Sequence, residues 1–466
     1  GAPTLRSVLD VVLDPGRDYE LQTRNGAPDP VTTRGEGDTI VHHFEISNLA
    51  RRVPEELRPS LTETEPLVRI TTYRDWDQFA SWWAALIRKQ TEVTDAMRSK
   101  VAELTAGLGT EREKIDAIYR FVTTDIQYKA WEFGVHGYQP YSTAVIFERR
   151  HGDCKDKALL MNTLLGEAGI EAHPVLIFAD PRRSEDDLSL AMVQHFNHCI
   201  SYLPATDARP GMFLDGTAVY HPSNTLPDMD QGARVLVVHD EGGEIRDVPW
   251  TSAGENLDER TFDVKLDADG SALVHMVHEP RRSHAVAVRE SLGNEPAKRR
   301  EVLERELSAL FGSIEIVSVA TSGLADLSAP VRVEVEFRCK ELATRQGGDL
   351  VLEPGFADDF LSAVTSKKER EFALILGPPW STRQRVVYRL PDDFGPIGVP
   401  EPSQLDPRFG SFSSRWTRRA DGSLEVEREL SLETNRIEPQ EYPAFREFAT
   451  DVGQADRRTV IVRRKS

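Results

Sequence analysis

The sequence is poor in cysteine, in long apolar runs and in positive charge. Three cysteines occur among 466 residues, too few for a disulfide framework or a four-thiolate zinc site. A chain this long buries a large core without such staples. No apolar run approaches the roughly 18 residues that a transmembrane helix needs. The best stretches, such as Ala373 to Leu376 ahead of Gly377-Pro378-Pro379, have the length of core segments. Lys and Arg total 57 against 76 Asp and Glu, a net charge of −19, and the pI is near 5.2. Nucleic-acid binders need basic patches to release counterions, so that class is excluded. Electrostatic docking on an anionic membrane is excluded for the same reason. A basic-then-apolar leader is also missing, and Gly1-Ala2-Pro3 is not a translated start. The expectation is a processed protein or an excised fragment whose address has been removed.

What is present, 39% apolar and 29% charged residues, has the balance of an ordinary globular protein. At about 150 residues per domain the length suggests about three domains. Three zones are visible. Residues 1–88 alternate short apolar stretches with turn residues. Val8 to Leu13 and Thr39 to Ile46 read as strands, Asn25-Gly26 as a turn, and the Pro-rich piece from Val53 to Pro66 as extended linker or edge chain. Residues 89–252 change period. Thr110-Glu111-Arg112-Glu113 is a capping box ahead of the stripe Ile115, Ile118, Tyr119, Val122. A second helix is expected from Cys154 to Ala168, apolar around more than one face and closed at Gly169-Ile170. Strands are expected at His173 to Ala179, Phe196 to Leu203 and Met212 to Leu214. Residues 253–466 return to strands, among them Thr261 to Leu266, Val331 to Phe337 and Leu424 to Leu430. Helices are expected at Glu295 to Phe311 and Tyr442 to Val452.

The strongest chemical signal is Gly152-Asp153-Cys154-Lys155-Asp156-Lys157-Ala158. It puts a cysteine on the first turn of a buried helix, where the partial positive charge and free N–H groups favour thiolate over thiol. The same N–H groups can hold an oxyanion that forms beside the sulfur. A thiolate nucleophile also needs a base and an orienting group. His198 stands in one expected strand and Asp215 at the end of the next. On a shared face of antiparallel strands, His198 could shuttle the proton while Asp215 fixes its tautomer.

A cysteine in GDC, a histidine in a strand and an aspartate in the next strand form the pattern of the transglutaminase-like superfamily. Gly137-Tyr138-Gln139-Pro140, the GDCKDKA run, Phe196-Asn197-His198 and Leu214-Asp215-Gly216-Thr217 resemble its bacterial branch. The core resemblance covers roughly residues 90 to 250. It implies an α+β fold: a papain-like transglutaminase core flanked by β-rich, sandwich-like domains. The N-terminal one, 1–88, would be part of a DUF3857-like domain. The catalytic domain would span 89–252 and a β-rich C-terminal domain 253–466. The resemblance also implies acyl transfer or hydrolysis at amide bonds through a thioester on Cys154, as a transglutaminase, protease or deamidase. Gln139 would complete the oxyanion hole, with Trp131 as its rival. The resemblance further implies a protein or peptide substrate, no cofactor, no metal, and a bacterial periplasmic or cell-envelope location.

Plainer readings stand beside these. Cys154 could be a buried structural thiol, and the core a catalytically silent binding module. Cys199 and Cys339 read as core residues. His195, three positions from His198, is a rival base expected to face away. Asp215 before Gly216 could be a turn former. The acidic stretches Ser184 to Asp187 and Asp228-Met229-Asp230 lack the ordered ligand spacing of a calcium loop and read as solvated surface. Lys155, Asp156 and Lys157 read as surface pairs or the cleft mouth. Trp76, Trp82 and Trp83, at helical spacing, read as core.

Overall fold

The computed structural model describes residues 3–465 except 53, 183–187, 241, 294, 357–359 and 406–408. The chain divides into two compact units, one ending at Pro249 and the other starting at Trp250.

In the first unit β1 (Thr4–Leu13), β3 (Val31–Arg34) and β4 (Ile40–Leu49) form an antiparallel sheet in the order β1-β4-β3. The Asn25-Gly26 turn follows β2 (Glu20–Arg24), with both residues at positive φ. The Pro-rich piece is more structured than its composition implies. It contains a short helix, α1 (Leu61–Thr64), and leads into β5 (Leu67–Thr71), which pairs with β2.

The helical layer comprises α2 (Trp76–Ile87), α3 (Asp95–Thr105), α4 (Glu111–Asp125), α5 (Thr143–Arg149) and α6 (Cys154–Glu167). The α4 capping box forms as expected, with the Thr110 hydroxyl accepting from the Glu113 N–H and the Glu113 carboxylate accepting from the Thr110 N–H. The unforeseen α3 buries only Met97 and Val101, a stripe too thin to stand out in sequence. Helix α6 is the centre of the unit, with Leu160, Met161, Leu164 and Leu165 all 0% exposed. Truncating such a leucine to alanine costs about 2–5 kcal/mol. The helix stops where glycine allows: Gly169 has φ 79°, and the Ile170 N–H donates to the Leu165 carbonyl at 2.9 Å, closing a Schellman cap.

Against the helices lies an antiparallel five-stranded sheet ordered β10-β9-β8-β11-β12. Its strands are β8 (His173–Ile177), β9 (His198–Leu203), β10 (Met212–Leu214), β11 (Arg234–His239) and β12 (Gly242–Asp247). Its residues alternate between two clusters, as a period of two requires. Leu176, Cys199, Leu236 and Val238 join Ala158 and Leu159 of α6, while Val175, Ile177, Ile200 and Val237 pack on the other face.

The second unit is β-rich. Strands Leu257–Leu266, Ala272–Pro280, Ile314–Ser322, Arg332–Cys339, Trp380–Arg389, Ser403–Leu405, Gly410–Arg418 and Leu424–Leu432 form one eight-stranded sheet. Leu257–Leu266 runs parallel to Trp380–Arg389 and antiparallel to Ala272–Pro280. The helix Tyr442–Ala455 buries Tyr442, Phe445, Phe448, Ala449 and Val452, a stripe at three- and four-residue spacing. The expected helix before Phe311 begins as a 3-10 turn, Pro296–Lys298, and runs on as Arg299–Phe311. Among the described residues no helix is long and apolar enough to cross a membrane.

Candidate active site

The start of α6 is built by a second, buried capping box. The Asp153 carboxylate accepts from the Asp156 N–H at 3.2 Å, and the Asp156 carboxylate accepts from the Asp153 N–H at 3.2 Å. This fixes Cys154 as the first helical residue, 8% exposed, beside the unpaired N–H groups of the first turn. Gly152 is needed for closure, because a Cβ there would stand 2.5 Å from Asp156 Cβ. The short parallel ladder of β6 (Gln127–Tyr128) with β7 (His151–Gly152) holds the approach to the cysteine, and the Lys129 N–H donates to the Gly152 carbonyl at 2.9 Å.

Of the two readings of Lys155, Asp156 and Lys157, surface pairs or the cleft mouth, the surface one is overturned: they are 7%, 2% and 0% exposed. Helix α6 is enclosed on more than one face, so the polar residues of its first turn must find partners inside. The Lys155 ammonium pairs with the Asp153 carboxylate, which holds it charged against the pull of burial. Burial, and then the neighbouring Asp153 charge, push the Asp156 carboxyl up. The Asp156 carboxylate accepts from the Tyr141 N–H at 2.8 Å. The Lys157 ammonium donates to the Ile126 carbonyl at 2.5 Å. Burial pulls it down to about 8, with Asp215 opposing.

His198 and Asp215 meet, but not as direct cross-strand partners. The register pairs Leu214 with Ser201, so Asp215 follows on beyond β10 and reaches His198 diagonally. His198 Nε2 lies 3.3 Å from Asp215 Oδ2, an ion-pair contact without the alignment of a straight hydrogen bond. The other Asp215 oxygen accepts from the N–H and the hydroxyl of Thr217, each at 2.7 Å. Burial would lower the His198 imidazole. The Asp215 carboxylate and the nearby Cys154 outweigh it and push the ring up to about 11. Burial would raise Asp215, but His198 and Thr217 hold its carboxyl below the ordinary range. Such a ring stays an imidazolium through neutral pH, the form that pairs with a thiolate.

Gln139 is half-buried, and its side-chain amide donates to the Leu86 carbonyl at 3.0 Å. Trp131 is 54% exposed, with its ring 6.1 Å from that of His151. His195 packs among aromatic rings, its centroid 5.8 Å from Trp76. Cys199 and Cys339 are buried, and burial pushes both thiols up. Trp83 lies in the core, with Trp76 and Trp82 packed against it.

One neighbour escaped sequence reasoning. Asp230, expected on a solvated surface, is 0% exposed. One of its oxygens, a His198 nitrogen and an Asp215 oxygen all lie within 4.8 Å of one another. A histidine and two carboxylates so placed also make a donor set that a cation can use. The acidic local sequence resembles a surface loop, and only the tertiary fold turns it inward. The other acidic stretch, Ser184 to Asp187, lies outside the described residues.

Residues 98–204 match the family model of the transglutaminase-like superfamily. This region is a transglutaminase-like core. Residues 348–462 match DUF3858, a domain of unknown function. The flanking family shown is thus DUF3858, within the stretch 253–466 expected as a β-rich C-terminal domain. A crystal structure of a candidate protease from Parabacteroides distasonis shares the fold, with a TM-score of 0.64 at 13% identity over 99% of this chain and 72% of its own. A candidate cysteine protease from Cytophaga hutchinsonii aligns at 14% identity over 46% of this chain and 72% of its own, and its TM-score of 0.22 carries no fold argument. No curated protein matches the chain.

Proposed function

We propose that this protein cleaves or transfers acyl groups at amide bonds through a thioester on Cys154, with residues 89–252 as the catalytic domain. The observation that carries the reading is the meeting of Cys154, His198 and Asp215 at the N-terminus of α6 in a transglutaminase-like core. The Cys154 thiolate attacks the amide carbonyl carbon, and the π electrons move onto oxygen. The helix-start N–H of Cys154 receives that oxyanion. So does Gln139, whose amide has one N–H held by Leu86 and a second to offer. His198 passes its proton to the leaving nitrogen, and the C–N bond breaks to give an amine and a thioester. Neutral His198 then takes a proton from water or an incoming amine, which attacks the thioester and releases the thiolate. Asp215 orients the ring and stabilises the imidazolium.

The substrate of this reading is a protein or peptide. Incubation with a peptide library plus a primary amine, read by mass spectrometry, tests it. Incorporated amine marks a transferase, clipped peptides a protease, and a one-unit mass gain at glutamine a deamidase. Cys154→Ala abolishes whichever occurs. Turnover that survives Cys154→Ala overturns the reading, and a wild-type protein that binds peptides without converting them leaves a silent binding module in its place. Gln139→Ala lowers kcat by about 10²–10³ as an oxyanion donor.

A further inference from the structure

The segment from Tyr128 to Tyr141 leaves the start of α6 and returns to it. It begins at the ladder that pairs Tyr128 with Gly152, where the Lys129 N–H also donates to the Gly152 carbonyl at 2.9 Å. It ends where the Tyr141 N–H donates to the Asp156 carboxylate at 2.8 Å. On the way Trp83 Nε1 donates to the Tyr138 carbonyl at 3.1 Å, and the His136 ring stacks on that of Tyr141 with centroids 3.7 Å apart. The Tyr128 phenol is pushed up to about 12, first by burial and then by the charge of Cys154, so the segment starts within the field of the sulfur. Between these ties the large apolar side chains face solvent: Tyr128, Trp131, Phe133, Val135 and Tyr138 are 50%, 54%, 75%, 55% and 46% exposed. Single exposed apolar residues are ordinary on a surface, but a cluster of them marks an interaction site. Charge offers little here, since one lysine, one glutamate and one histidine accompany them. Ties at both ends hold the segment in place beforehand, which lowers the cost of ordering it around a ligand.

We propose that this segment is the rim that selects the acyl donor: Trp131, Phe133 and Val135 receive a large apolar or aromatic side chain of the peptide whose amide Cys154 attacks. The proposal rests on the reading of Cys154 as the nucleophile and names the substrate class of that site, a peptide apolar beside its scissile amide. An extended chain covers about 3.3 Å per residue. Trp131 stands three residues past Tyr128, which lies opposite Gly152, so a bound peptide passes from Cys154 to the rim within about four residues. Aromatic rings suit the task, because they bury much apolar surface with few rotatable bonds to freeze.

The test uses the full chain and two peptide libraries built around a central Gln-Gly. One carries Phe, Tyr, Leu and Met at the flanking positions, and the other carries Ser, Asn and Gly there. Protection of Cys154 from iodoacetamide reports binding, and mass spectrometry of the same peptides reports conversion. The apolar library is expected to protect wild-type Cys154 at about tenfold lower concentration than the polar one. Phe133→Ser with Val135→Ser is expected to bring the two libraries level, while the thermal midpoint and the alkylation rate without peptide stay at wild type. Equal protection by the two libraries in wild type, or an apolar preference untouched in the double variant, overturns the proposal. If the double variant fails to fold, Phe133→Ser alone decides, because that side chain is the most exposed of the group. Conversion of both libraries alike keeps the reading of Cys154 and overturns the proposal. Protection by the apolar library with no conversion supports the rim and overturns the acyl-transfer reading.

Discussion

The molecule starts two of its helices with the same device and puts it to different uses. The capping box of α4, Thr110 with Glu113, is exposed to solvent. That of α6, Asp153 with Asp156, is 1% and 2% exposed and is tied to Lys155 and the Tyr141 N–H. The exposed box only has to start a helix. The buried one carries two carboxylates out of water to fix where one cysteine stands. Aspartate is as good an N-cap as serine at a surface, but a buried carboxylate costs more than a buried hydroxyl would. The extra charge therefore marks a position where geometry and electrostatics matter beyond helix formation.

Perturbing each box separates these uses. The largest effect is expected from Asp153→Ala, which strands the buried Lys155 ammonium. Breaking such a pair costs about 3–5 kcal/mol, measurable by denaturant unfolding, and Cys154 alkylation should slow as the helix start shifts. Next comes Gly152→Ala, where the new Cβ meets Asp156 Cβ at 2.5 Å. Overpacking of this kind costs about 1–3 kcal/mol, and it should also slow alkylation. Thr110→Ala should cost about 1 kcal/mol and leave alkylation at the wild-type rate. A similar loss of Cys154 reactivity in Thr110→Ala would erase the contrast between the boxes.

The smallest effect separates the boxes by pH. The Thr110 hydroxyl and the N–H groups of Thr110 and Gly109 hold the Glu113 carboxyl below its ordinary range. The folded state binds that proton less readily than the unfolded chain, so this stabilisation is present above the unfolded value and is lost on acidification. Asp156 is held up by burial and by Asp153. Its folded state binds the proton more readily, so its ionisation costs stability as pH rises. Between pH 6 and about pH 3, Glu113→Gln should therefore flatten the fall in thermal midpoint, and Asp156→Asn should steepen it. Equal slopes in the two variants would refute the distinction.

The elements that position the site were legible where local sequence determines them. Glycine at 152 and 169 and the apolar face of α6 mark both ends of that helix, and short β-propensity runs mark the strands of His198 and Asp215. Their pairing was foreseen as strand neighbours, but the diagonal offset was not, because register depends on the turn between the strands. Burial of charge is the least legible feature of the sequence. Lys-Asp-Lys after Cys154 and Asp-Met-Asp before Gln231 resemble surface polar runs, and nothing local says that α6 will be enclosed or that Asp230 will face His198. Inward-facing charges are chosen by distant partners, the Ile126 carbonyl for Lys157 and the His198 ring for Asp230. Helix α3, with two buried residues, was invisible for the opposite reason: it has too little pattern to read.

If His198 keeps Cys154 ready as a nucleophile, the alkylation kinetics of Cys154 will report it. Wild type and His198→Ala would be treated with iodoacetamide from pH 5 to pH 9, with rates at Cys154, Cys199 and Cys339 resolved by peptide mass spectrometry. The imidazolium pushed up to about 11 predicts a wild-type Cys154 rate well above a free thiol at pH 6, with Cys199 and Cys339 silent. His198→Ala should bring the Cys154 rate down to or below that of the free thiol. A wild-type Cys154 that reacts like any free thiol at pH 6, or that is indifferent to His198→Ala, would contradict the account.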